Sequence, residues 1–310
     1  METRPVPDRI QACAHAERGI TMSYRITTDS TCDLPQDFYR ERGIACIGLS
    51  FQLDGVEYKE GPDVGVSSKE FYDQLRAGKE SSTMQVNAFE FMSFVEPILE
   101  AGDDVLHIAF SSGLSGTYDS CRRGAEELME KYPGRKVMVV DSLCASMGEG
   151  LLVFYASENA KAGMSLEDNA AWIESHKRNL CHWFTVDDLM FLHRGGRVNK
   201  ASAIFGSLLG IKPVLHVDDD GHLILMSKAR GRAGSIDALA QKLKETANDD
   251  IAEQTVFISH GDSIDDAQRL ADKVRKIAGV KTIVISDIGA VIGSHSGPGT
   301  IALFFMGRQR

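Results

Sequence analysis

The stretch that most constrains this chain is residues 105–118, VLHIAFSSGLSGTY. Its first six residues, Val105 to Phe110, form a short apolar run that reads as a buried strand. The turn that follows, Ser111-Ser112-Gly113-Leu114-Ser115-Gly116-Thr117, consists mostly of small residues, and a helical pattern then continues to about Met129. A strand that empties through Ser and Gly into a helix leaves free backbone N–H groups at the carboxyl edge of a sheet, where the helix dipole favours an anion. Two readings of Ser115 stay open at this point. Its hydroxyl holds an anion together with those N–H groups, or it is an ordinary helix cap.

The rest of the chain repeats the alternation. Strands are expected at 24–28, 44–49 and 135–140, and Asp54-Gly55 marks a hairpin turn within 51–58. Helices are expected from Pro35 to about Arg42, at 67–76, at 88–101 behind the cap Asn87 with Glu90 three residues on, and at 148–162, where Leu151, Leu152, Phe154 and Tyr155 form an apolar stripe. Residues 81–86, SSTMQV, read as a polar turn. Beyond Gly163-Met164-Ser165 the pattern predicts a helix at 165–177, a strand at 181–186 and a short helix at 187–193 that breaks at Arg194-Gly195-Gly196-Arg197. An apolar helix at 198–209 follows, then a hairpin of 212–217 and 222–228 around Asp219-Asp220-Gly221. A helix at 234–246, a strand at 255–260, a helix at 264–277, a strand at 282–286 and an apolar end at 301–306 complete the chain. Strand–helix alternation implies an α/β fold. The expected layout is an N-terminal domain at 23–163, with a parallel or mixed sheet flanked by helices, and a C-terminal α/β domain at 164–310. Residues 1–22 are polar, lack the apolar core of a signal peptide and read as a disordered extension, with Met22 directly before the first strand.

Composition removes several classes of function. A net charge of −10 without a long basic run argues against nucleic acid or an anionic membrane as a general partner. The six cysteines are scattered, with no C-x-x-C pair, as expected of reduced thiols in a cytoplasmic protein rather than a disulfide framework or a zinc site. No apolar run reaches the roughly 18 residues of a membrane span.

The familiar catalytic signatures are missing. Gly-Leu-Ser-Gly-Thr around Ser115 fails the G-x-S-x-G elbow by one residue, no G-x-x-x-x-G-K-[ST] or G-x-G-x-x-G loop follows a strand, and the nine histidines show no H-E-x-x-H spacing. A Ser115/His295 esterase or thioesterase is the enzymatic alternative, without an evident acid partner. His295 stands out because Gly and Pro surround it at an apparent turn. Arg194, Arg197, Arg230 and Arg232 lie near chain breaks and make either a basic face or a solvated surface. Thr83 and Gln85 are binding residues or plain turn residues.

An ordered set of short pieces resembles the DegV family, whose characterised bacterial members are fatty-acid-binding proteins of the FakB type. The pieces are Thr28-Asp29-Ser30-Thr31, Ser82-Thr83-Met84-Gln85, Ser111 to Tyr118, Asp141-Ser142, Gly195-Gly196-Arg197-Val198, Lys228-Ala229-Arg230-Gly231-Arg232 and His295-Ser296-Gly297-Pro298-Gly299. They span roughly Tyr24 to Phe305. Met84 departs from the Ser that the family often has there. The resemblance implies a two-domain α/β fold with one long-chain fatty acid bound between or within the domains. It implies that the carboxylate meets Thr83 and Ser115, with His295 close by and Ser112 and Gly116 in the same loop. It further implies a carrier with no cofactor, metal or turnover of its own, which presents the fatty acid to a separate ATP-dependent kinase that makes acyl phosphate for phospholipid synthesis. The lack of a nucleotide loop fits that division of labour. Arg197 and Arg230 would then serve the kinase encounter or phosphotransfer.

Overall fold

A computed structural model describes residues 24–62, 65–199 and 210–310. The extension expected at 1–22 and most of the apolar helix expected at 198–209 lie outside the described residues. In chain order, β1 (Tyr24–Asp29), α1 (Gln36–Arg42), β2 (Ala45–Ile47), β3 (Ser50–Leu53) and β4 (Val56–Lys59) are followed by α2 (Ser68–Arg76), β5 (Ser81–Met84), α3 (Ala88–Glu100), β6 (Asp104–Ala109), α4 (Thr117–Lys131), β7 (Val137–Asp141), α5 (Met147–Lys161) and α6 (Leu166–His176). The second half contains β8 (Leu180–Thr185), α7 (Leu189–Arg194), β9 (Ile211–Val217), β10 (Leu223–Arg230), α8 (Gly231–Thr246), β11 (Thr255–His260), α9 (Ile264–Ala278), β12 (Thr282–Asp287), α10 (Ala290–Ser296) and β13 (Ile301–Met306).

Local chemistry explains many of these boundaries. Asn87 and Glu90 form a reciprocal capping box at the start of α3, with both backbone-to-side-chain bonds at 3.0 Å. Ser67 accepts from the Glu70 N–H and starts α2. Asp54 and Gly55 both take positive φ, 53° and 81°, which a two-residue hairpin turn requires, and join β3 to β4.

The strands form three sheets. A parallel sheet runs β2-β1-β6-β7, a three-stranded antiparallel sheet runs β4-β3-β5, and a six-stranded mixed sheet runs β10-β9-β8-β13-β11-β12. The expected polar turn at 81–86 is therefore corrected. Residues Ser81–Met84 are a strand in register with β3, Phe51 opposite Thr83. Pairing with an apolar partner strand outweighs the low strand propensity of serine, because propensity in strands is mostly packing.

Helix α5 joins the parallel and six-stranded sheets. The sequence predicts one apolar stripe, but Met147, Leu151, Leu152, Val153 and Ala156 are all buried, in one cluster with Ile108 and Val140 of the first sheet and Phe184 and Phe304 of the second. A helix buried on several sides is the expected outcome when two sheets enclose it. Gly150 permits the contact, since a Cβ there would fall 2.7 Å from the Cys32 carbonyl oxygen. The outer face of the six-stranded sheet packs on α8 and α9 through Leu239, Leu243, Leu270 and Val274. Among the described residues no helix is long and apolar enough to cross a membrane.

Candidate functional site

The site is built around α10, whose last turn carries His295, the histidine that the sequence places at an apparent turn. Its composition, AVIGSHS, is poor for a helix. Tertiary contacts supply what propensity lacks: the Gly289 N–H donates to Asp33 Oδ1 at 2.9 Å and the Val291 N–H donates to Glu60 Oε1 at 3.1 Å. Two carboxyl groups from remote segments thus accept from N–H groups at the start of the helix that have no partner within it. Burial, followed in effect by mutual repulsion for Asp33, pushes both carboxyls up, Glu60 to about 7.

Strand β5 is fastened along α10 by two hydroxyls two residues apart on one face. Ser81 Oγ lies 2.6 Å from Ser294 Oγ, and Thr83 Oγ1 lies 2.7 Å from His295 Nε2. Burial, aided by the nearby Arg197 charge, lowers the His295 pKa to about 4, so the ring is neutral at pH 7. With its proton on Nε2, His295 donates to Thr83 and leaves the threonine proton free for a third group.

The loop after β6 completes the polar end. Asp29 Oδ2 accepts from the Phe110 N–H at 2.9 Å and fixes where the loop starts. Ser115 Oγ accepts from the Thr117 N–H at 3.2 Å and pairs with Thr117 Oγ1 at 2.9 Å. Ser115 is thus not the N-cap of α4, a position that Gly116 takes; its hydroxyl holds the turn just before the helix, and the residue also lines a cavity. The Gln85 side-chain amide packs directly over Gly116, so a Cβ there would meet its oxygen at 2.3 Å and push that side chain aside. Arg197 reaches across with Nε and Nη2 donating to the Leu114 carbonyl at 3.2 and 2.9 Å, and Nη1 donating to the Gly195 carbonyl.

The cavity that these groups border has a volume of about 440 Å³. Thr83, Gln85, Ser115, Gly116, Arg197 and His295 line it, and the rest of the wall is mainly apolar, with Phe110, Phe184, Val217, Leu223, Ala302 and Phe304. A neutral imidazole, hydroxyls and one guanidinium at the end of an apolar chamber can hold a monoanionic head on an apolar tail.

The structure thus brings Thr83, Ser115, Gly116, His295 and Arg197 together, but not the other two predicted residues. Ser112 is exposed, with its N–H on Asp141 Oδ1 at 3.1 Å, and it does not line the cavity. Arg230 ends β10 and is exposed away from the cavity lining. The two half-sites of the hydrolase alternative are already engaged elsewhere, Ser115 with Thr117 and His295 with Thr83, which lends no support to a Ser–His pair. The sequence reading missed Ser146 and His182 in the wall. Ser146 offered no signal beyond its place before a helix, and His182 was hidden inside an apolar strand. No cluster of three or more metal-ligating side chains occurs among the described residues.

Comparison with known proteins agrees with this layout. The sequence profile of the DegV family, described as uncharacterised proteins, matches residues 23–308. A DegV domain-containing protein of Clostridium perfringens is 46% identical over 283 residues, covering 91% of this chain and 97% of that one. Among solved structures, a fatty-acid-binding DegV family protein from Thermus thermophilus has 32% identity and a TM-score of 0.80, over 92% of this chain and 100% of that one. A DegV lipid-binding protein from Thermotoga maritima has 29% identity and a TM-score of 0.80, over 93% and 100% of the two chains.

Proposed function

This chain belongs to the DegV family, and from that premise we propose that it binds one long-chain fatty acid and presents it to a separate ATP-dependent kinase for acyl-phosphate formation. The observation that supports this reading best is a mainly apolar cavity whose wall carries Thr83, Ser115 and His295, with Thr83 hydrogen-bonded to His295. Thr83 and Ser115 donate hydroxyl protons to the carboxylate, His295 orients Thr83, and the Gly116 backbone closes the loop side. Ser112 has no direct contact in this reading. Arg197 supports the loop through Leu114 and lends its charge to the head group. The tail supplies most of the affinity, at about 0.8 kcal/mol for each buried CH₂. The kinase meets the polar end of the cavity, with Arg197 there and Arg230 on the exposed end of β10 as its basic contacts. An ATP-dependent partner places the pair in the cytoplasm.

Native mass spectrometry of the purified protein, followed by denaturation and lipid identification, tests the reading. The expected result is one fatty acid per chain. A protein that is empty and takes up no added fatty acid would overturn it.

A second test uses a close approach. Gly195 has φ −70°, a value any residue adopts, yet a Cβ there would lie 2.2 Å from His295 Nδ1. Gly195→Ala therefore fits its own backbone and displaces the imidazole. Fatty-acid affinity is expected to fall about tenfold, the cost of misplacing one orienting hydrogen bond, with little change in melting temperature. Titration calorimetry reads the first and thermal denaturation the second; unaltered affinity would remove His295 from the site.

A further inference from the structure

Among the polar side chains of the cavity wall, His182 is one that the carboxylate does not need. His182 is 1% exposed. It lies on β8 two residues before Phe184, so both face the cavity while Trp183 between them faces the helix-covered side of the sheet. Neither ring nitrogen has a hydrogen-bond partner among the described residues. The ring packs edge-to-face on Phe304, its register partner on β13, with 5.7 Å between centroids. Its Nε2–Cδ2 edge lies over Gly148 of α5, where a Cβ would come within 2.4 Å. Burial holds the ring well below the ordinary histidine range, with Arg310 and His216 acting in the same direction. It is therefore neutral, with one donor and one acceptor nitrogen.

A chamber for a plain alkyl chain is better served by Leu or Phe at this position, because each unmet polar group buried in apolar surroundings costs about 1–3 kcal/mol. Ser146, another polar group in the wall, does not share this problem: its hydroxyl donates to Asp33 and contacts Ser259 Oγ at 2.8 Å. The strand sets the distance from the head group. Thr300 accompanies the end of α10 through its bond to the Ser296 carbonyl, and Phe304 is four residues further along β13, about 13 Å at strand rise. His182, level with Phe304, therefore meets the acyl chain well away from the carboxylate.

From this placement we infer that His182 reads an oxygen on the acyl chain, and that the preferred ligand is a long-chain fatty acid with a hydroxyl in its distal part. A hydroxyl both donates and accepts, which matches a neutral imidazole. The inference rests on the fatty-acid reading above and refines it to a ligand class.

The experiment is competitive binding of stearic acid and hydroxystearic acids whose hydroxyl is moved along the chain, to the wild type and to His182→Phe and His182→Gln. The wild type is expected to bind one distal hydroxy isomer about tenfold tighter than stearic acid, His182→Phe to lose that preference, and His182→Gln, which keeps a donor and an acceptor, to retain part of it. If stearic acid binds and no isomer is preferred, or if the preference survives in His182→Phe, the inference is overturned while the fatty-acid reading stands. If no acid binds at all, both fall. The wild-type series gives its answer even where a variant fails to fold.

Discussion

Replacing Asp29 by alanine is expected to lower the free energy of unfolding by about 3–5 kcal/mol and the melting temperature by roughly 10 °C. The carboxylate is fully buried at the end of β1 and serves three donors: the Thr31 N–H at 3.0 Å, the Thr31 hydroxyl, and the Phe110 N–H at 2.9 Å. Alanine leaves two buried backbone N–H groups without acceptors, and each such loss costs about 1–3 kcal/mol. The loss extends to Glu149, because the Thr31 hydroxyl lies between Asp29 and the Glu149 carboxylate, 2.9 Å from the latter, while Thr28 holds the other Glu149 oxygen at 2.7 Å. Burial raises both carboxyls above the ordinary range, so this network ties α5 to β1 without a full pair of charges. Asparagine restores only part of the loss, because its amide nitrogen is a second donor facing the Phe110 or the Thr31 N–H. Thermal and chemical denaturation of the three proteins measure the series. An alanine variant as stable as the wild type would mean that Asp29 does not anchor the loop.

The double variant Thr83→Ala/Ser115→Ala is expected to bind a long-chain fatty acid about a hundredfold more weakly. Each hydroxyl bond to a carboxylate is worth about 1.5 kcal/mol or more, and 1.4 kcal/mol is a factor of ten. The cost to folding is smaller. Ser115 gives up its bond from the Thr117 N–H, about 1 kcal/mol for one hydrogen bond, and Thr83 leaves His295 without its 2.7 Å partner. The methyl ester of the same acid separates head from tail. It lacks the charge, so wild type and variant should bind it almost equally and weakly, through the chain alone. Equal affinity of the two proteins for the free acid would sink the assignment of the carboxylate to Thr83 and Ser115.

Much of the layout was legible because its causes lie within a few residues of each other. The apolar run 105–110 and the small-residue loop after it predicted β6, the loop and α4 in place. Asn87 with Glu90, Ser67 with Glu70, and Asp54-Gly55 each encode a cap or a turn through contacts no more than three residues apart. Thr83, Ser115 and His295 were named on the resemblance to a family. Their convergence joins segments as far apart as the 212 residues between Thr83 and His295.

The elements that resisted reading obey long-range causes. Residues Ser81–Met84 look like a turn and become a strand because β3 is available to pair with them. Residues 290–296 look unfit for a helix and become one because Asp33 and Glu60 arrive to cap it. Glu149 and His182 look misplaced within apolar runs, and only the packing of α5 between two sheets shows that one is hydrogen-bonded and the other faces a cavity. The sequence by itself determined the alternation of strands and helices, the local caps and turns, and membership of a family. The tertiary structure alone decided which apolar residues line a chamber rather than fill a core, and which hydroxyls and imidazoles share its polar end. Backbone hydrogen bonding and hydrophobic period act over one or two turns of chain, whereas burial and the pairing of buried polar groups are set by whatever segment the fold brings alongside.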